Sequence, residues 1–205
     1  MFLNRIAAAK FLIPYLEKFR FEDVVILAIP RGGVPIGFVI GKYFNWKLSL
    51  LLIKKIGHPT NKEYAIGAAG LNCILIDEGH TDVPQFYIRE EYERVRRLLW
   101  NRFTMYMGHC NQVSLKGKTV VITDDGIATG YTMRASVMML KQQQPEKIIV
   151  AVPVASPRTL HLLQNDVTEI IVLQSPEDFR SVGQYYIDFS ELTDEEVTAM
   201  LNKTG

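Results

Sequence analysis

The sequence predicts an α/β fold: an open, mostly parallel, twisted sheet flanked by helices. Three observations carry that prediction. Strand-like apolar runs recur along the 205 residues, and none alternates cleanly between apolar and polar, so both faces of the sheet must be covered. Helical stretches separate the runs, as βαβ units require. The composition, 48% hydrophobic and 22% charged, is ordinary for a globular chain long enough to bury a core. A single domain over residues 1–205 is the expectation.

The elements follow in order. MFLNRIAAAKFLIPYLEKF reads as an amphipathic helix with Phe2, Ile6, Ala9, Ile13 and Leu16 on one face. Arg5 and Lys10 interrupt it, and no clear cleavage site follows, which argues against a signal peptide. VVILAI (24–29) is a strand and residues 34–43 the helix after it; LSLLLI (48–53) is the next strand, with CILI (73–76) a shorter candidate. Residues 84–108, rich in Arg and Glu, make the longest helix. TVVIT (119–123), a helix over 131–143, KIIVAVPV (147–154) and TEIIVL (168–173) continue the alternation. Ser156 caps a short helix opened by Pro157, and Thr193 with Glu196 forms a capping box at the start of the last helix. Two stretches read as irregular, 54–70 and 175–190, and long loops in compact domains are often functional.

Charge and cysteine content exclude several classes. The net charge of +1 gives no global field for nucleic acid or a membrane surface. No segment approaches the roughly 20 apolar residues of a membrane span. Cys73 and Cys110 form no C-x-x-C, so neither a disulfide framework nor a structural zinc site is expected, and a reducing, cytoplasmic location follows. His58, His80, His109 and His161 lack metal-ligand spacing. Gly117-Lys118-Thr119 has the ending of a P-loop, but Gln112 stands where its first glycine belongs and a strand follows instead of a helix.

The informative stretch is TDDGIATGYT, residues 123–132, between a strand and a helix. In open α/β sheets ligands bind beyond the carboxyl ends of strands. Gly126 and Gly130 permit tight turns, Thr129 and Thr132 add hydroxyls, and the helix start presents N–H groups that suit a phosphate. Asp124 and Asp125 would repel a bare phosphate. They make sense if the ligand also offers a diol or carries a divalent cation. A sugar phosphate with two free ribose hydroxyls meets both demands.

Residues 120–132 resemble the phosphoribosyl-pyrophosphate signature of the type I phosphoribosyltransferases: apolar run, two acids, three loop residues, then Thr-Gly-x-Thr. The one departure is Thr123, where an apolar residue is more usual. AIPRGGVPIG, LLIKKIGHPTNKEYAIGA and PEDFRSVGQYYIDFSELTDEEV extend the resemblance to a bacterial subgroup of that family without an assigned substrate. The resemblance implies the family's fold, with a small hood from the C-terminal and N-terminal segments at about 175–205, and a flexible lid at about 54–70 that contains Lys62 and Glu63.

It also implies roles. Asp124 and Asp125 hold the ribose 2′ and 3′ hydroxyls. Gly126, Ile127, Ala128, Thr129, Gly130, Tyr131 and Thr132 cradle the 5′-phosphate. Arg31, Gly32 and Gly33 form the pyrophosphate loop, which in many members includes a cis peptide, and Lys54 or its neighbour Lys55 reaches the same group. Arg31, Asp124 and Asp125 are the catalytic candidates, with Mg²⁺ as cofactor held indirectly by the two acids through ligand or water. The implied activity is transfer of phosphoribosyl to a nucleobase-like nitrogen acceptor with release of pyrophosphate, in a homodimer. The other class of reading is a regulator that senses phosphoribosyl pyrophosphate without turnover.

Two further points concern the acceptor. Relatives acting on 6-oxopurines usually carry an aspartate at the third position after the acid pair. Ala128 stands here and cannot transfer a proton, so efficient hypoxanthine or guanine turnover by that route is not expected. Phe179, Tyr185, Tyr186 and Phe189 of the hood either stack on a planar base or pack the hood itself. On the long helix, Arg94, Arg96, Arg97 and Arg102 read as a salt-bridged face rather than a phosphate site.

Overall fold

The structure is a computed structural model that describes residues 1–62, 64–77, 79, 83–108 and 112–203; Glu63, His80, His109 and Cys110 lie outside the described residues. Five parallel strands form the main sheet: β1 (Val24–Ala28), β2 (Lys47–Leu50), β6 (Thr119–Thr123), β7 (Lys147–Val154) and β8 (Glu169–Gln174), in spatial order β2-β1-β6-β7-β8. Helices connect them: α1 (Arg5–Leu16) precedes β1, α2 (Gly33–Phe44) joins β1 to β2, α4 (Tyr131–Lys141) joins β6 to β7, and α5 (Pro157–Leu163) joins β7 to β8. The apolar runs lack alternation because each residue has a core to enter. Val24, Ile26 and Ala28 join the core shared with Leu12 and Ile40 of α1 and α2, while Val25 and Leu27 join the core shared with Val137 and Leu140 of α4.

Strand order places the switch point between β1 and β6. From β1 the chain moves to one side to make β2 and returns to the other side to make β6. The connections at the carboxyl ends of β1 and β6 therefore diverge and leave a crevice between them, the usual ligand seat of such sheets.

The stretch 54–70 departs from the expected irregular loop. β3 (Lys54–Gly57), β4 (Ala65–Ala69) and β5 (Ile74–Ile76) form a separate antiparallel sheet, in order β3-β4-β5. The strand LSLLLI is correspondingly shorter than expected: β2 stops at Leu50 and the chain leaves the main sheet for this second one. α3 (Gln85–Met107) packs against β3 and β4.

The N-terminal helix starts at Arg5, capped by the Asn4 side chain, and buries Ala8, Ala9, Leu12 and Leu16. Of the expected stripe, Ala9 and Leu16 are buried and Ile6 and Ile13 are half-buried. Phe2 is buried outside the helix, where it pairs in parallel with Tyr186: Phe2 N–H donates to Tyr185 O at 2.7 Å and Ile187 N–H to Phe2 O at 2.8 Å. The N-terminal segment and residues 185–188 thus form one unit over the carboxyl edge of the sheet. α6 (Asp194–Leu201), with its capping box in place, closes the chain against α2 and α3. No helix among the described residues is long and apolar enough to cross a membrane.

Candidate active site

The site grows from the register of β1 and β6. Ala28 lies opposite Thr123, and Ile29 N–H donates to Thr123 O at 3.0 Å, so the loops after both strands start side by side. The first loop is Pro30-Arg31-Gly32-Gly33, and its Pro30–Arg31 peptide is cis. The two glycines are there because the loops touch. A Cβ on Gly32 would lie 2.1 Å from Asp125 Oδ2, and one on Gly33 would lie 2.4 Å from Thr123 O and 3.0 Å from Asp124 Cα.

The second loop has a split role. Ile127 N–H donates to Val154 O at 2.9 Å, Ser156 N–H donates to Ile127 O at 3.0 Å, and the Ile127 side chain is buried. Ile127 therefore anchors the loop to the end of β7, and its N–H is spent. Ala128 O is held twice, by Ser156 Oγ at 2.7 Å and by Thr159 Oγ1 at 2.8 Å. Gly130 takes the left-handed conformation, φ +75°, to turn the chain into α4. The backbone N–H groups of residues 128–132 have no acceptor among the described residues. Several free amides in a tight turn at a helix start form an anion cradle.

Asp124 and Asp125 sit between this cradle and the glycine loop, both half-buried. Asp124 accepts from Asp125 N–H at 2.9 Å. Burial first, and then the neighbouring Asp125 charge, holds the Asp124 carboxyl well above the ordinary carboxylate range. Burial also raises Asp125, but Arg5 opposes it: Arg5 Nε donates to Asp125 Oδ2 at 2.8 Å. Tyr186 OH donates to Asp125 O at 2.6 Å, and burial followed by the Asp125 charge keeps that phenol protonated. Among the described residues no three carboxylate, His or Cys side chains converge as a metal cage.

The remaining residues singled out in the sequence divide clearly. The Arg31 guanidinium reaches Glu191 and lies 3.9 Å from Asp194 Oδ1 at the start of α6. Lys54 is exposed on β3 and its charge acts on Glu91 of α3, whereas Lys55 lines a cavity of about 620 Å³ with Tyr131 and Thr132. Arg94 pairs with Glu91 at 2.6 Å, Arg96 donates to Leu71 O at 3.0 Å, and Arg102 Nη2 lies 3.4 Å from Tyr106 OH, within α3's own surroundings. Tyr185 stacks on Phe179 with ring centroids 5.6 Å apart, and Tyr186 on Phe189 at 5.0 Å, so most of the hood aromatics pack one another. Phe179 also lines a second cavity, about 440 Å³, with Ala128, Thr129, Ser156, Arg158 and Arg180.

Arg5 and Thr159 escaped the sequence, as did the site contacts of Ser156 and of Tyr186, which was expected only as a hood aromatic. Ser156 was visible as a helix cap, and its hydroxyl does accept from Thr159 N–H while also holding Ala128 O. Nothing local marks Arg5, which stands 120 residues from Asp125.

Comparison with known proteins agrees with this geometry. The model of the phosphoribosyl transferase domain matches residues 3–190. Two Mycobacterium tuberculosis proteins, Rv0571c and MT0597, provisionally named phosphoribosyl transferases, are each 31% identical over 209 aligned positions, covering 99% of this chain. The chain spans about half, 47%, of the length of these curated relatives. The crystal structure of TT1426 from Thermus thermophilus superposes with a TM-score of 0.87 at 36% identity, over 98% of both chains. A hypoxanthine-guanine phosphoribosyltransferase from Bacillus anthracis shares the fold at a TM-score of 0.51 and 14% identity, over 85% of this chain and 80% of that one. A five-stranded parallel sheet carrying the acid pair and the anion cradle at its switch point, matched across nearly its whole length, places this chain in the type I phosphoribosyltransferase family.

Proposed function

We propose that the chain binds 5-phosphoribosyl 1-pyrophosphate and transfers its phosphoribosyl group to a nitrogen acceptor. The observation that carries this reading is the convergence, at one sheet edge, of two acids, a glycine loop against them and a cradle of unpaired amides. A sugar bearing a diol and two separate phosphate groups fits that triple arrangement.

The acceptor nitrogen attacks the anomeric carbon as the bond to the pyrophosphate oxygen breaks. The nitrogen's proton is released and the configuration inverts. Residues 128–132 hold the 5′-phosphate through backbone N–H groups. Asp124 and Asp125 accept from the 2′ and 3′ hydroxyls and offset positive charge developing on the ring. Arg31 and the backbone of Gly32 and Gly33 stabilise the departing pyrophosphate, once Arg31 turns from Glu191 and Asp194 to the ligand. Mg²⁺ would enter with the pyrophosphate, held indirectly by Asp124 and Asp125 through ligand or water, and would neutralise the leaving group's charge. Lys55, beside Tyr131 and Thr132, is better placed than Lys54 to add charge near the phosphates. The β3–β4 hairpin serves as the lid, and excluding water from the site protects the activated donor from hydrolysis.

The acceptor sits in the cavity under the hood. Phe179 lines it, Ala128 offers no proton-transfer group, and Arg158 and Arg180, neither with an ion-pair partner among the described residues, outnumber the one carboxylate of the lining, Glu177. A planar acceptor bearing an acidic substituent suits this lining better than a neutral 6-oxopurine. We place the activity in the cytoplasm, in a single-domain unit acting as a homodimer. A pyrophosphate-release assay with phosphoribosyl pyrophosphate, Mg²⁺ and a panel of planar nitrogen acceptors tests the reading. Release with at least one acceptor supports transfer; donor binding without release for any acceptor favours a sensor instead.

A further inference from the structure

Arg5 occupies a position that no sequence motif explains. It is the first residue of α1, next to the Asn4 cap, yet its side chain points across the molecule to the acid pair. Its Nε donates to Asp125 Oδ2 at 2.8 Å, its Nη1 donates to Ser190 O at 2.9 Å, and its guanidinium lies 4.0 Å from the centroid of the Phe189 ring. The ion pair is nearly closed off from solvent, with side-chain exposures of 11% for Arg5 and 14% for Asp125. The backbone around it is fixed as well: Leu3 O accepts from Asp188 N–H at 2.9 Å, and Tyr186 OH donates to Asp125 O at 2.6 Å. One guanidinium therefore ties together the N-terminal segment, the end of the hood and one of the two acids.

We propose that Arg5 is a positioning residue for ribose recognition: it neutralises and aims Asp125, so that the acid pair meets the donor as one carboxyl without an ion pair, Asp124, and one ion-paired carboxylate, Asp125. The inference rests on the functional reading above and deepens it. Two adjacent half-buried carboxylates beside an anion cradle repel each other and the 5′-phosphate that the cradle takes. A buried arginine cancels one charge while leaving the second Asp125 oxygen available to a ribose hydroxyl. The hydrogen bond to Ser190 O and the contact with Phe189 make the hood part of the same assembly, so the acid is aimed only when the hood is seated. Lysine would keep the charge but lose the planar contact with Phe189 and the paired donation to Asp125 and Ser190.

The test separates the ribose subsite from the pyrophosphate subsite. Calorimetric titrations with ribose 5-phosphate, with Mg-pyrophosphate and with phosphoribosyl pyrophosphate are run on the wild-type chain, Arg5→Gln and Arg5→Lys, with thermal melts as a folding control. Arg5→Gln is expected to weaken ribose 5-phosphate and phosphoribosyl pyrophosphate at least tenfold and to leave Mg-pyrophosphate within about twofold. Arg5→Lys is expected to recover part of that loss. In an Asp125→Asn background, Arg5→Gln should cause little further loss, because the two residues act as a unit. If Arg5→Gln does not fold, Phe189→Leu gives the second reading and should show the same selective loss of ribose 5-phosphate. Equal affinities in wild type and Arg5→Gln, or an equal loss for all three ligands, would overturn the role of Arg5 alone. A wild-type chain that binds none of the three would overturn the functional reading and this inference with it.

Discussion

Replacing Gly33 by alanine probes how closely the two loops abut. The added methyl would lie 2.4 Å from Thr123 O, 3.0 Å from Asp124 Cα and 3.1 Å from Thr123 C. An ordinary C···O contact is about 3.3 Å or longer, so the loops would have to part by about 0.9 Å. All three atoms are backbone. Thr123 O is bonded to Ile29 N–H at 3.0 Å, Gly33 N–H to Ile29 O at 2.9 Å, and β6 is laddered to both β1 and β7, so neither partner gives easily. Overpacking of this kind costs about 1–3 kcal/mol, which for a chain of this size lowers the melting temperature by about 2–12 °C. Gly32→Ala is the informative contrast. Its methyl would meet the Asp125 carboxylate, Oδ2 at 2.1 Å and Cγ at 2.4 Å, which moves only by leaving Arg5. We therefore predict that Gly33→Ala is read mainly in stability, and that Gly32→Ala is read mainly in donor affinity, with a loss of tenfold or more. Melting curves and calorimetric titration of phosphoribosyl pyrophosphate on both variants check this. A Gly33→Ala protein that melts within about 1 °C of wild type and binds the donor normally would refute the close approach of the loops.

Three further predictions rest on the same geometry. Asp124→Asn should raise stability at neutral pH by about 0.5–2 kcal/mol while weakening donor binding, the usual trade at a site built around a strained charge. The sign follows from its raised carboxyl: ionising Asp124 costs the native state stability as pH rises through the folded pKa, so the variant's advantage should vanish towards the unfolded carboxylate range, and melts across that window read it directly. Thr123→Val should stabilise by about 1 kcal/mol, because Thr123 Oγ1 is buried without a hydrogen-bond partner among the described residues; unchanged or lower stability in urea titrations would point to a hidden partner. With Ala128 in the acceptor cavity, guanine and hypoxanthine should be poor acceptors, and an acidic planar acceptor should lose preference over its neutral analogue in Arg180→Ala; kcat/KM ratios across an acceptor panel decide both.

The main sheet was legible because its strands are apolar on both sides, and the cradle because TGYT must turn from strand to helix. Of the second sheet only β5 was, as the short candidate CILI. Ala65-Ile66-Gly67-Ala68-Ala69 has weak strand propensity and no alternation, and its pairing with β3 and β5 is what makes it a strand. Within the loop, sequence could not separate Ile127, whose N–H is spent on Val154, from the residues whose amides are free. The choice between Lys54 and Lys55 also waited on the second sheet, because neighbouring strand residues face opposite ways. The charge balance of the acid pair was illegible for a different reason: Arg5 arrives from the other end of the chain, through the pairing of Phe2 and Leu3 with residues 185–188.

Calorimetric titration of phosphoribosyl pyrophosphate with Mg²⁺ into the wild-type chain and into the Asp124→Asn/Asp125→Asn double variant tests the central claim most directly. Saturable one-site binding is expected for the wild type, with a loss of at least tenfold in a double variant that remains folded. Equal affinity in the two proteins would contradict the assignment of the acid pair to the donor site.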